Sequence, residues 1–155
     1  MALYLWICIS HGKALLMFGK EITGLILRDV LSDSGLPFGQ LLRTDSVYIG
    51  EIGCIVHCTI LNRYLGSEEI VKILADAEFE VLCSEELDTL VEKYPRHLPL
   101  LSLNALGSHW SEGGQEVVRR YSPDEAGRFV KRLGIFNAKW ANGHWFSCKV
   151  MPAKK

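Results

Sequence analysis

Residues 53–66 read GCIVHCTILNRYLG, which puts Cys54, His57 and Cys58 within one short stretch. Thiols beside an imidazole can do two kinds of chemistry. A thiolate with a histidine base is the machinery of a cysteine hydrolase, usually with a third group to orient the histidine. Sulfur and imidazole are also zinc ligands, and His109 or His144 could complete a set of four. The spacing opposes zinc. On an extended strand, two residues four apart point the same way about 13 Å from each other. Zn–S bonds of about 2.3 Å do not close that gap. No C-x-x-C knuckle is present, so neither a metal site nor a cofactor is expected. The third possibility is structural. Cys54 and Cys58 then share one face of a buried strand as small apolar residues, and His57 points to the other.

The order Cys54, His57, Cys58, Asn62, Leu65, Gly66 resembles the nucleophile segment of Josephin-type deubiquitinases, which are papain-like thiol proteases. GHWFSCKV (143–150) is similar to the strand that carries their catalytic histidine. The resemblance covers about twenty residues and implies Cys54 as nucleophile and His144 as base. The chain departs from the pattern in three ways. CIVHCTI has four β-branched residues in seven and favours a strand where the family opens a helix. Gln40 lies far upstream for an oxyanion glutamine, and no Asn, Asp or Gln follows Trp145.

Charge and aromatic residues suggest binding. Residues 66–94 hold nine acids against two bases, and residues 111–155 hold nine bases against four acids. Arg128, Lys131 and Arg132 fall on one face of a helix if that segment is helical. With Lys139 and the rings of Trp140 and Trp145 they could line a groove for an anionic or single-stranded ligand. Trp110 and His109 stand in GSHWSEGG (107–114), read as a glycine-rich loop with little local core for a large ring. Trp110, His109, Trp140 and Trp145 are therefore the candidate ligand-binding residues.

These residues must be positioned by elements that are partly legible. Apolar positions at helical spacing, each run preceded by serine and acids, predict helices from Ser67 (Ile70, Ile73, Leu74, Ala77) and from Ser84 (Leu87, Leu90, Val91, Tyr94). Ser122-Pro123-Asp124-Glu125 resembles a capping box and predicts a third helix burying Ala126, Phe129, Val130 and Leu133 and ending at Gly134. A fourth helix is expected over 20–32. Strands are expected at 3–9, 14–18, 79–83 and within 47–61. Residues 135–151 are expected to close as a hairpin about Asn142-Gly143.

The chain has 155 residues, is 48% hydrophobic and 23% charged, and carries a formal net charge of −1. This fits one domain over 1–155 and gives no global pull towards nucleic acid or membrane. Residues 1–16 read as a strand-forming or non-native extension, and 152–155 as a frayed tail. The apolar run at 2–9 lacks a basic segment before it and is too short to span a bilayer. Five cysteines in apolar surroundings suggest reduced thiols and a cytoplasmic location.

The fold expected is α+β: a mostly antiparallel sheet with three to four helices packed chiefly on one face. The leading functional expectation is a soluble binding protein for a small ligand or a protein partner, with a homodimer as one form of partner. One alternative is binding of a polyanion or single-stranded nucleic acid through the basic C-terminal third, at Arg128, Lys131, Arg132 and Lys139. The other is thiol hydrolysis by Cys54 and His144.

Overall fold

The computed structural model describes residues 6–10, 13–17, 27–30, 40–61, 63–141 and 143–152, with the backbone alone for those before Leu41. The strands are β1 (Trp6–Ser10), β2 (Lys13–Met17), β3 (Leu27–Val30), β4 (Gln40–Thr44), β5 (Val47–Ile49), β6 (Gly53–Leu61), β7 (Phe79–Val81), β8 (Leu103–Glu112), β9 (Gln115–Pro123), β10 (Phe129–Ile135) and β11 (Trp145–Val150). Two α-helices lie among the described residues, α1 (Ser67–Asp76) and α2 (Ser84–Lys93). β1 and β2 pair only with each other. The remaining strands form a nine-stranded sheet in the order β10-β9-β8-β11-β6-β4-β3, with β5 also paired to β6 and β7 to β11. β11 runs parallel to β8, and the other ladders are antiparallel.

This mixed, strand-dominated sheet with two helices overturns the expected antiparallel sheet carrying three to four helices. The helices also do not share a face. α1 buries Ile70, Ile73 and Leu74 against Val56, Cys58, Phe146 and Cys148. α2 buries Leu87 and Leu90 on the opposite side, with Leu103, Ala105, Tyr121 and Trp145. β6 therefore has a core on both of its sides, and seven consecutive residues, Ile55–Leu61, are buried. That is the pattern of a central strand.

The helices from Ser67 and Ser84 form, but each N-cap lies one residue earlier, at Gly66 and Cys83. Gly66 N–H donates to Glu69 Oε1 at 3.2 Å and Cys83 N–H to Glu86 Oε1 at 3.1 Å. The Ser67 hydroxyl is spent on the Phe136 carbonyl instead.

The third helix does not form. Asp124 accepts hydrogen bonds from the N–H groups of Ala126 (2.9 Å) and Arg128 (2.8 Å), and Gly127 takes φ 78°. A side chain that captures nearby N–H groups, followed by a left-handed glycine, makes a turn and prevents a helix start. β9 and β10 thus become a hairpin. Val130, Leu133 and Ile135 are left 37%, 41% and 44% exposed, and Gly134 falls within β10.

The fourth helix is also corrected, since Leu27–Val30 is a strand; residues 20–26 and 31–32 lie outside the described residues. The expected loop at 107–114 is the end of β8 and a two-residue turn, with Gly113 and Gly114 at φ 61° and 82° between the paired Glu112 and Gln115. Residues 135–151 do not close on themselves. Trp140 exchanges backbone hydrogen bonds with Leu65 (2.7 and 3.3 Å), and its indole N–H donates to Ser67 Oγ at 2.7 Å. β11, which follows, lies in the middle of the sheet between β8 and β6. β1 is not a central strand of that sheet.

Candidate binding edge

β6 and β11 fix the positions of the thiol and imidazole groups. Phe146 lies opposite Cys58 and Cys148 opposite Val56. Continuing that register places His144 level with Ile60, six residues along β6 from Cys54. At about 3.4 Å per residue this is a separation of roughly 20 Å. Cys54 sits in a strand, paired with Tyr48. The structure does not bring Cys54 and His144 together as nucleophile and base.

The other members of the cluster are buried. His57 Nδ1 lies 2.9 Å from Ser147 Oγ, and both side chains are buried. Burial pushes the His57 pKa down to about 4. Serine beside histidine is nucleophile chemistry in an open cleft, but here neither is open to substrate. Cys58 and Cys148 are buried on the α1 face, and burial raises the Cys148 thiol well above its ordinary value. Among the described residues no three His, Cys, Asp or Glu side chains gather to hold a metal.

The four candidate ligand-binding residues separate. Trp145 is fully buried and Trp140 nearly so, which removes both as open stacking platforms. His109 bonds Glu116 at 2.8 Å and stacks on Phe136 with centroids 4.1 Å apart. Trp110 pairs opposite Val117, so it and His109, its neighbour on β8, point to opposite sides of the sheet. Trp110 lines an open cleft of about 430 Å³ with Glu112, Arg119, Lys131, Arg132 and Leu133.

The basic quartet is likewise split, because a strand alternates where a helix would have aligned it. Lys131 lies opposite Tyr121 and Arg132 opposite Arg120, on the two faces of β10. Arg128 pairs with Asp124 at 3.5 Å, and Lys139 with Glu69 at 3.2 Å beside the start of α1. The residues missed by helical spacing are Arg119 and Arg120. Their strand partners Leu133 and Arg132 bring them beside Lys131 and Arg132. Period-2 reading of both segments would have found them.

β10 is the outermost strand of the sheet beside β9, and no described strand covers its other edge. Asp124 N–H bonds Arg128 O at 2.7 Å and Phe136 N–H bonds Glu116 O at 2.9 Å. These two bonds set the phase of the ladder. Even-numbered residues of β10 bond to β9, and Lys131, Leu133 and Ile135 direct their N–H and C=O groups to the open edge. The side chains of the same three residues stand on the Trp110 side of the sheet. An edge with free backbone groups, exposed aliphatic side chains and flanking cations can accept a further strand.

No helix among the described residues is long and apolar enough to cross a membrane. No family model, curated protein or solved structure matches the chain.

Proposed function

We propose that the protein is a binding module that takes an extended, acidic segment of a partner protein as an added strand on β10. The observation that carries this reading is the open β10 edge itself. Among the described residues, three of the six exposed large apolar side chains, Val130, Leu133 and Ile135, lie on this one strand. Lys131 interrupts them, which favours an acid at the matching position of the incoming segment; Arg119 behind it is already paired with Asp88 at 3.1 Å. Antiparallel self-pairing of β10 centred on Arg132 sets like charges opposite one another; centred on Leu133 it does not, so a second copy is the competing occupant.

Register defines the ligand. An antiparallel segment meets Ile135, Leu133 and Lys131 in turn, at every second residue. The complementary pattern is apolar-x-apolar-x-acid. A labelled peptide of this pattern should bind by fluorescence anisotropy, and Lys131→Glu should weaken it about tenfold, as expected for a charge-assisted contact. N-methylation of the peptide groups that face β10 should abolish binding. Retained binding of the methylated peptide would overturn strand addition. A concentration-dependent dimer in sedimentation that Leu133→Glu disperses would assign the edge to a second copy instead.

The second reading is polyanion binding, supported by Arg119, Arg120, Lys131 and Arg132 gathering on one hairpin. Single-stranded nucleic acid bound with a steep salt dependence, without peptide binding, would favour it. The two apolar clusters packed on one sheet support a single domain. Cys54, Cys58, Cys83 and Cys148 are free thiols, which supports a cytoplasmic location.

A further inference from the structure

The cleft on the Trp110 side of β8, β9 and β10 has an order along its length. Trp110 stands level with Val117, and Glu112 level with Gln115 beside the turn that joins β8 to β9. On β10, Leu133 stands level with Arg119 and Lys131 with Tyr121. From Trp110 to Lys131 is two strand spacings across, about 10 Å, and about 13 Å along the strands. The side chains reach in over that span to line one cleft of about 430 Å³. A carboxylate thus lies at one end and an ammonium at the other, with an indole and a leucine between them.

The middle of this cleft is held and its ends are free. Tyr121 Oη donates to Asp88 Oδ1 of α2 at 2.6 Å, and the same carboxylate oxygen stands 3.1 Å from Arg119 Nε. So placed, the Arg119 guanidinium lies over the Trp110 ring, 5.1 Å from its centroid. The indole N–H donates to Glu112 Oε2 at 3.2 Å, which orients the ring and leaves the carboxylate with lone pairs to spare. Glu112 and Lys131 are both exposed. Among the described residues, no carboxylate pairs with Lys131 or with Arg132, which also lines the cleft.

We propose that this cleft binds a nucleoside monophosphate whose base carries hydrogen-bond donors on its outer edge, as guanine does. The flat base stacks in the middle, where the indole and the guanidinium present planar faces. Its N1–H and amino group donate to the spare lone pairs of Glu112, and the phosphate lies at the Lys131 end in charge-assisted contact. A bare phosphate is too short to use both ends. Adenine sets a ring acceptor against the carboxylate where guanine sets a donor, so guanine fits better. The volume is in the range of about 300–1,000 Å³ that holds ligands of this size. The site does not rest on strand addition, which uses the backbone edge of β10, although both use Lys131.

The test is a titration of the full chain with guanosine 5′-monophosphate at constant ionic strength, read by calorimetry and by NMR at Trp110 Nε1–H. Saturable heat and a saturable shift of that proton are expected. Guanosine and ribose 5-phosphate, which each lack one end of the ligand, should bind about tenfold or more weakly. Lys131→Gln should weaken the nucleotide about tenfold and leave guanosine unchanged. Glu112→Ala should weaken the nucleotide and leave binding of the strand-forming peptide at β10 unchanged, which separates the two sites. The proposal is overturned if the nucleotide gives no saturable signal, or if Lys131→Gln binds it as the unaltered chain does. Equal affinity for ribose 5-phosphate would refute the base contact, and equal affinity for adenosine 5′-monophosphate the role of Glu112. Binding that appears only with oligonucleotides would return these cations to the polyanion reading and remove the mononucleotide site.

Discussion

His57 and Gly107 each hold a position that tolerates little change. His57 is buried, bonds Ser147, and stays neutral because burial lowers its pKa from 6.5 to about 4. Its sign in folding linkage follows directly. Between pH 6.5 and 4 the unfolded chain binds a proton that the folded chain refuses, so stability is lost as pH falls through that window. The loss is of order 3 kcal/mol at the acid end. Urea unfolding of the wild type should show a component of this size between pH 7 and 4 that His57→Gln lacks. Gly107 is constrained by space alone. A Cβ there would meet the Leu82 carbonyl oxygen at 2.6 Å and the Val81 oxygen at 2.8 Å, both backbone atoms that cannot rotate away. Gly107→Ala should cost about 1–3 kcal/mol in thermal unfolding, as overpacking does. A cost below a few tenths would mean that the β7–α2 link moves freely over β8.

Elements were legible where one local signal stood alone and illegible where two competed. α1, α2 and β6 follow from apolar spacing and β-branched content, with little else in their windows. Residues 122–135 carry two signals. Phe129 and Leu133 fit helical spacing, while Phe129, Leu133 and Ile135 also fit alternation. Asp124 and Gly127 decide between them by closing a turn. The basic residues were visible, but their grouping depended on the period assumed, so Arg119 and Arg120 were passed over. The cysteine–histidine stretch was correctly legible as a strand and misleading as a site, because reaching His144 requires the register of β11. The change from helix to edge strand revises one energetic expectation. A helix buried at Phe129 would lose about 3–5 kcal/mol on Phe129→Ala. The half-buried ring on β10 should lose nearer 1 kcal/mol. Leu87→Ala and Leu90→Ala in α2, both fully buried, should lose about 2–5 kcal/mol each. Chemical denaturation of the three variants ranks them.

At the scale of the whole molecule, the sheet separates two apolar layers, and β11 contributes to both. Phe146 and Cys148 pack towards α1, and Trp145 packs towards the α2 side. Lys149 reaches Glu86 of α2 at 2.8 Å, so the same strand ties basic and acidic segments together. β11 also lies between β8 and β6, and joins the hairpins on either side of it. It is nevertheless the last of the described strands along the chain. A ribosome that has released residues 40–135 has released two half-sheets with no common partner. Their facing edges stay open until residues 145–150 emerge, and the His57–Ser147 contact then closes a separation of 90 residues. Assembly of this kind is slow, and it leaves unpaired edges exposed to other nascent chains. A chain stopped at Lys139 should therefore show no cooperative unfolding by circular dichroism, and adding a peptide of residues 143–152 in trans should restore it. If the shortened chain folds cooperatively alone, β11 is not the element that joins the two halves during synthesis.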